Sequence, residues 1–480
     1  MHHLRNNPVL GMSRQLLRAP AMAAARSSGA VRGAAVRQLS SVNDDGTLPQ
    51  DAFYIVNLAH VVRQHERWLK EMPRVTPYYA VKCNGNRKIL ETLASLGCGF
   101  DCASPAEIES VSELVGPGGV VPPVIYANPC KQISHMEYAT DQAVGLTTFD
   151  SEEELEKIAE HMPHSKALLR LLPDDSDATC QFGLKYGAPI EDAKRLLARS
   201  IELGVEVSGV SYHVGSGNYS TAAYSGAVEM AREAFDMAAD LGIPMTVLDL
   251  GGGYPGDVTQ RPEEEAAAAV VPGMPDTESK ELAFEAIAAA CRTALDEHFP
   301  PEDTSVQIIA EPGRYYVHAS HMLLANVIGR KASAATAGPE GGQEFKYYIN
   351  DGIYGSFNCL LYDHAVVHPR PLKGGDPLLR SSVWGQTCDG LDCVSAETML
   401  PELEVGDWLA FDNMGAYTTA ACSSFNGFAP APVSIYTYDG EIIAEGDALV
   451  RCDTAEALID RLLDESPAGP KNKVDEKATA

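Results

Sequence analysis

Lys82 closes the segment Pro77-Tyr-Tyr-Ala-Val-Lys-Cys-Asn84, so a short apolar run of strand type delivers one amine at its end. Three more polar clusters end later apolar runs: His213-Val-Gly-Ser-Gly217, Gly251-Gly-Gly-Tyr-Pro-Gly256 and Glu311-Pro-Gly-Arg314. An amine can capture an aldehyde as a Schiff base. Glycine-rich backbone and a guanidinium can converge on a phosphate through N–H donors. Singly these features are weak, because a strand-end lysine is commonly a solvated surface group and a glycine triplet a tight turn. Together they describe a site for a cofactor that carries both a carbonyl and a phosphate.

Such a site needs a scaffold that brings strand ends to one face. Between Tyr54 and Tyr315 eight apolar runs occur, most of them separated by helix-like stretches: Tyr78–Val81, Gly99–Cys102, Val124–Ala127, Val144–Thr148, Ala167–Leu171, Val207–Tyr212, Met245–Leu250 and Val306–Ala310. Alternation of this kind means a parallel sheet, and eight units in this length suit a closed (β/α)₈ barrel of the TIM type. Ser104-Pro-Ala-Glu107 and Ser151-Glu-Glu-Glu154 read as capping boxes that open two of the helices. In such barrels the site lies at the C-terminal strand ends, and phosphate often binds the loops after strands seven and eight. Gly251–Gly253 and Glu311–Arg314 occupy those two places. A barrel phosphate site beside a strand-end lysine points to pyridoxal 5'-phosphate.

After Tyr315 the pattern turns to strands with Gly and Pro turns, among them Phe345–Asn350, Ser381–Trp384, Trp408–Phe411 and Pro432–Tyr438. The expected fold class is therefore α/β: a barrel over 58–318 and a mainly β domain over 319–465, with 44–57 as a lead-in strand of that domain. A polar tail, 466–480, reads as disordered. Thr259–Lys280 and Ala332–Gln343 read as loops, the first either a lid or a silent insertion. Residues 1–43 hold six arginines and no acid, a composition that matches a mitochondrial transit peptide, with a basic tail on a cytoplasmic protein as the alternative.

The net charge of −29 argues against nucleic acid, whose phosphates are neutralised by Lys and Arg; it suits a cationic small substrate, or simply solubility. Eleven cysteines lack metal-ligand spacing and imply a reducing compartment. No run approaches the ~20 apolar residues that cross a bilayer, so no membrane partner is expected.

From Asp51-Ala-Phe-Tyr54 to Ser424-Phe-Asn-Gly-Phe428 the chain resembles the eukaryotic ornithine decarboxylases, fold-type III enzymes dependent on pyridoxal phosphate. The motifs that carry the resemblance include Tyr78-Tyr-Ala-Val-Lys-Cys-Asn84, Gly99-Phe-Asp-Cys-Ala-Ser104, Tyr126-Ala-Asn-Pro-Cys-Lys131, Glu311-Pro-Gly-Arg-Tyr-Tyr316, Asn350-Asp-Gly-Ile-Tyr-Gly-Ser-Phe-Asn358 and Trp384-Gly-Gln-Thr-Cys-Asp-Gly-Leu-Asp392. The resemblance implies a modified Greek-key or sandwich second domain and a set of roles. Lys82 would bind the cofactor aldehyde, Glu311 would keep the pyridine nitrogen protonated, and His213 would stack on the ring. Ser216, Gly251, Gly252, Gly253, Pro312, Gly313, Arg314 and Tyr417 would surround the phosphate. Asp101, Glu107 and Arg170 would lie near the ring.

At the far end of the pocket Tyr354, Asp363 and Asp389 would meet the substrate, the two acids receiving the distal ammonium of a diamino acid. Cys388 would govern protonation of the product carbon. In this family Cys388 and Asp389 complete the other subunit's site, which implies a homodimer with shared active sites. Cys388-Asp-Gly-Leu-Asp392 favours ornithine over diaminopimelate, whose decarboxylases carry a Cys-Glu-Ser-Gly-Asp type motif. Lysine is one methylene longer, a difference worth only ~1–3 kcal/mol, and stays open together with arginine. A silent homologue resembling the antizyme inhibitors is the reading from another class, and an antizyme-type regulator is a further expected partner. Two departures stand out: the basic segment replaces β-domain strands that precede Asp51 in relatives, and Gln386 stands where relatives often have Pro.

Overall fold

The computed structural model describes residues 50–218, 220–259, 283–333, 344–438, 441–445 and 448–449. Segments 1–43 and 466–480, nearly all of the 259–280 insertion and most of the 332–343 loop lie outside the described residues.

Eight parallel strands close a barrel: Val75–Ala80, Gly99–Cys102, Val124–Tyr126, Leu146–Phe149, Lys166–Arg170, Val207–Ser211, Val247–Asp249 and Gln307–Ala310. Each expected run overlaps one of them, and chain order is the order round the barrel. The last strand pairs with the first, Ala310 opposite Pro77, which closes the ring. Side chains alternate across each strand, so Tyr78, Ile125, Leu168, Val247 and Ile309 fill the interior while Tyr79, Phe100, Tyr126, Leu169 and Leu248 face the helices.

The helices present matching apolar stripes. Leu58–Glu71 buries Leu58, Val61, His65 and Trp68, residues three or four apart and hence on one face. Trp68 anchors this layer against Tyr254 (4.9 Å), Tyr315 (5.3 Å) and Phe284 (5.5 Å), and its Nε1 donates to Val75 O at 2.9 Å. Both expected capping boxes form only by half. Ser104 and Ser151 accept from the N–H of Glu107 and Glu154. The return bonds go elsewhere: Glu107 takes the Ala103 N–H at 2.6 Å, and Glu154 is drawn into a buried pair with Lys131 at 2.7 Å.

The second domain is a ten-stranded mixed sheet. Its spine is the long strand His321–Ser333, which pairs with Phe53–Asn57, Glu344–Ile349 and Trp408–Phe411. Phe53–Asn57, which precedes the barrel, also runs parallel to Val433–Tyr438. The chain thus enters and leaves the barrel through one sheet. That sheet grips the Lys82 turn, because Tyr417 N–H donates to Cys83 O at 3.0 Å and Asn84 Nδ2 to Gly415 O at 2.8 Å. Among the described residues no helix is long and apolar enough to cross a membrane.

Candidate active site

The first barrel strand ends at Ala80, and a tight turn, Val81–Cys83, presents Lys82 at the barrel mouth. The lysine side chain keeps 40% of its surface exposed there, while Asp101, at the end of the second strand, is fully buried and forms an ion pair with its Nζ. Burial pushes the Lys82 ammonium down, but its acidic neighbours, Asp101 first among them, outweigh it and hold it above the usual lysine range.

Two more carboxyls lie beneath this pair. Asp249 ends the seventh strand, fully buried, and accepts from Ser211 Oγ at 3.0 Å and from Gly251 N–H at 2.9 Å. Burial pushes it up to about 6. Glu311 follows the eighth strand, and burial, then Asp249 and Asp101, raise it well above the usual carboxyl range. Glu311 Oε1 and Asp101 Oδ1 are buried without a hydrogen-bond partner. Such atoms are costly unless something satisfies them, and a protonated ring nitrogen is the kind of group they fit. Glu107 is raised by burial although it holds the Ala103 N–H.

His213 follows the sixth strand. Its Nδ1 accepts from Gly215 N–H at 3.0 Å, and burial, Arg170 and Lys82 hold the ring well below the usual histidine value. It is therefore neutral with its proton on Nε2. Phe182 meets the ring edge-on at 4.7 Å, and Arg170 ends the fifth strand with its guanidinium 5.5 Å from the Tyr186 ring.

The anion-binding side gathers from three directions. Gly251 and Gly253 have φ of +62° and +99°, and a Cβ would stand 1.9 Å from Tyr212 O at the first and 2.3 Å from Gly215 O at the second. Only glycine fits this hairpin-tight path. Gly251 supplies shape rather than a donor, since Asp249 takes its N–H; Gly252 sits against His213, where a Cβ would stand 2.7 Å from Nε2. Pro312 O accepts from Ala80 N at 3.2 Å, and Gly313 lies so close to Cys83 that a Cβ would stand 2.9 Å from the cysteine's own. Arg314 Nη2 then reaches Ser216 Oγ at 3.4 Å, and its guanidinium lies 5.1 Å from the Tyr417 ring.

Lys82, Asp101, His213, Ser216, Gly251–Gly253, Glu311, Arg314 and Tyr417 are thus brought to one mouth. Tyr354, Cys388 and Asp389 are not joined to them. The Tyr354 hydroxyl donates to Asp389 Oδ2, Leu391 N–H donates to Oδ1 at 3.0 Å, and the exposed Cys388 gives its N–H to Asn426 Oδ1 at 3.1 Å. Asp363 goes to the phosphate side, paired with Arg314. Asp249 was not among the expected site residues, because it lies inside the apolar run Met245–Leu250 with Leu250 between it and the glycines.

Residues 58–318 match the family model described as pyridoxal-dependent decarboxylase, pyridoxal binding domain. This chain belongs to that family. Among relatives of this chain, antizyme inhibitor 2 of Xenopus laevis is 47% identical over 397 residues, covering 81% of each chain. Ornithine decarboxylase of Mus musculus is 46% identical over 403 residues, covering 82% of this chain and 81% of its own. The crystal structure of the Paramecium bursaria Chlorella virus arginine decarboxylase superposes with a TM-score of 0.70 at 33% identity, covering 81% of this chain and 96% of that one. The family's cofactor is pyridoxal phosphate, and the donor set of this chain fits it: an amine, unpartnered buried carboxylate oxygens and a guanidinium beside a glycine path.

Proposed function

We propose that the protein decarboxylates L-ornithine to putrescine and CO₂, the first step of polyamine biosynthesis. One observation carries the enzymatic part: the amine of Lys82, the unpartnered Glu311 Oε1 and the Ser216–Arg314 pair share one barrel mouth. Pyridoxal phosphate supplies an aldehyde for the substrate amine and a protonated ring that takes up the electron pair left by departing CO₂. Lys82 would pass its excess proton to its ion-pair partner Asp101, leaving a neutral amine to hold the aldehyde. Glu311, held protonated by burial and its acid neighbours, becomes a carboxylate once a cation faces Oε1. Neutral His213 offers a ring face without adding charge. Ser216, Arg314, Tyr417, Gly252 and Gly253 hold the phosphate, and Gly251 shapes the path beside it.

Ornithine is favoured by the decarboxylase relatives of that name and by two acids, Asp363 and Asp389, suited to a distal ammonium. Asp389 is held below the usual range by the Tyr354 hydroxyl. Tyr354, Asp389 and Cys388 act in the partner subunit's mouth, so the enzyme is a homodimer with shared sites. Residues 1–43 direct import into mitochondria; a fluorescent fusion of residues 1–50 that stays diffuse in the cytosol would count against this.

The antizyme inhibitor relative supports a second reading, a silent protein that binds an antizyme-type regulator. The two part on a simple test. The purified protein loaded with pyridoxal phosphate should be yellow, bleach with borohydride and release CO₂ from ornithine. A colourless or inert protein favours the second reading.

A further inference from the structure

Arg314 serves two partners through one nitrogen. Its Nη2 donates to Ser216 Oγ at 3.4 Å and also to Asp363 Oδ1. Both ends of the ion pair are nearly closed off, the Arg314 side chain 14% and the Asp363 side chain 8% exposed. Tyr417 lies 5.1 Å from the guanidinium carbon on the ring side. Asp363 also ends the short helix Cys359–Tyr362, where the dipole disfavours an acid, so Arg314 is what favours its position. The carboxylate reaches toward the Ser216 strand: Cys180, which pairs with Ser216, has its thiol raised by burial and then by Asp363.

A guanidinium nitrogen has two hydrogens, and here one faces Ser216 and the other faces a carboxylate. A phosphate drawn to Ser216 and Arg314 meets the negative charge of Asp363 at the same nitrogen. A diamino acid's distal ammonium is a rival attraction for that carboxylate. On the reading given under Proposed function, we infer that Asp363 couples the two binding events. It competes with phosphate for Arg314, and an ammonium that engages it strengthens the phosphate anchor. Linkage makes the effect reciprocal, so phosphate tightens diamine binding by the same factor.

The test uses the full-length apoprotein and calorimetric titration with inorganic phosphate, pyridoxal phosphate and pyridoxal. Asp363→Asn keeps the size and an acceptor but removes the charge. It should bind phosphate and pyridoxal phosphate at least about five-fold tighter, the lower end of ordinary coupling, and pyridoxal unchanged. In the wild type, saturating 1,4-diaminobutane should tighten phosphate binding in the same direction, and Asp363→Asn should abolish that gain. Phosphate affinity unchanged or weaker in Asp363→Asn, with pyridoxal bound normally, overturns the inference. If the variant does not fold, the wild-type titration decides, and a phosphate affinity indifferent to the diamine overturns it. A wild type that decarboxylates ornithine but shows no coupling loses only this inference and leaves the proposed activity standing.

Discussion

The Tyr354 hydroxyl donates to Asp389 Oδ2, and both residues belong to the sheet domain rather than to the barrel that carries Lys82. The tyrosine ring is itself fixed against Phe425 at 4.4 Å, and the second oxygen of Asp389 is held by Leu391 N–H. On the proposed shared sites, this acid, fixed by two donors, faces the partner subunit's barrel mouth. Exposed Leu391, Tyr362, Phe425 and Phe428 accompany it.

Chains carrying Lys82→Ala and Cys388→Ala, each nearly inactive alone, should therefore recover about a quarter of wild-type activity when mixed and reassorted, because half the dimers then hold one intact site. Activity of the mixture measured after confirmed subunit exchange checks this. No recovery refutes shared sites.

Stability of the apoprotein should rise between pH 5.5 and 7. His60 and His65 are pushed down to about 4, and His318 and His321 to about 3, in each case chiefly by burial; His213 lies lower than the ordinary value for the same reason. Each is neutral when folded and takes up a proton near 6.5 when unfolded, so the unfolded state binds more protons and gains as pH falls. The carboxyls raised in the fold oppose this, Asp249 and Glu311 most and Glu66, Glu107, Asp150 and Asp351 less, but the five histidines are the groups whose unfolded-state titration falls inside the window. Urea midpoints at the two pH values give the sign, and a higher midpoint at pH 5.5 would contradict the assignment.

Gly251→Ala should prevent cofactor binding and cost more than about 3 kcal/mol, since it adds left-handed backbone strain to a collision with Tyr212 O. Gly226→Ala is the contrast. It lies exposed in the helix Thr221–Asp240, a Cβ there meets nothing within 4 Å, and it should stabilise by about 0.5–1 kcal/mol. Thermal melts with near-visible absorbance of the loaded protein separate the two.

Glu154→Gln should destabilise by about 3–5 kcal/mol, because Lys131, with no exposed side-chain surface, loses its counter-charge. Lys131 keeps bonds to Asn128 O at 3.0 Å and Thr148 O at 2.8 Å, so a double variant with Lys131→Met should regain part of the loss. Denaturant titrations of the single and double variants check it.

The barrel was legible because eight short apolar runs recur at barrel spacing, four of them leading straight into a polar or glycine cluster. Lys82, His213, Gly251–Gly253 and Glu311 announced themselves at those ends. Asp249 did not, since it sits inside the run Met245–Leu250 and its charge is hidden by apolar neighbours. The Arg314–Asp363 pair joins residues 49 apart, and the pairing of Phe53–Asn57 with His321–Ser333 spans the whole barrel; neither leaves a local pattern. Glu107 and Glu154 fit the capping template by type and spacing, but Ala103 and buried Lys131 claim their carboxylates. Tyr417 adopts φ of +54°, which its residue type disfavours and which the Cys83 contact helps to hold.

The proposed substrate is decided by kcat/KM for amine and CO₂ release from ornithine, lysine, arginine and diaminopimelate, using residues 44–480 loaded with pyridoxal phosphate. Putrescine from ornithine is expected well above every other product. Cadaverine or agmatine in excess would contradict the substrate assignment, and no amine from a folded, loaded protein would contradict the activity itself.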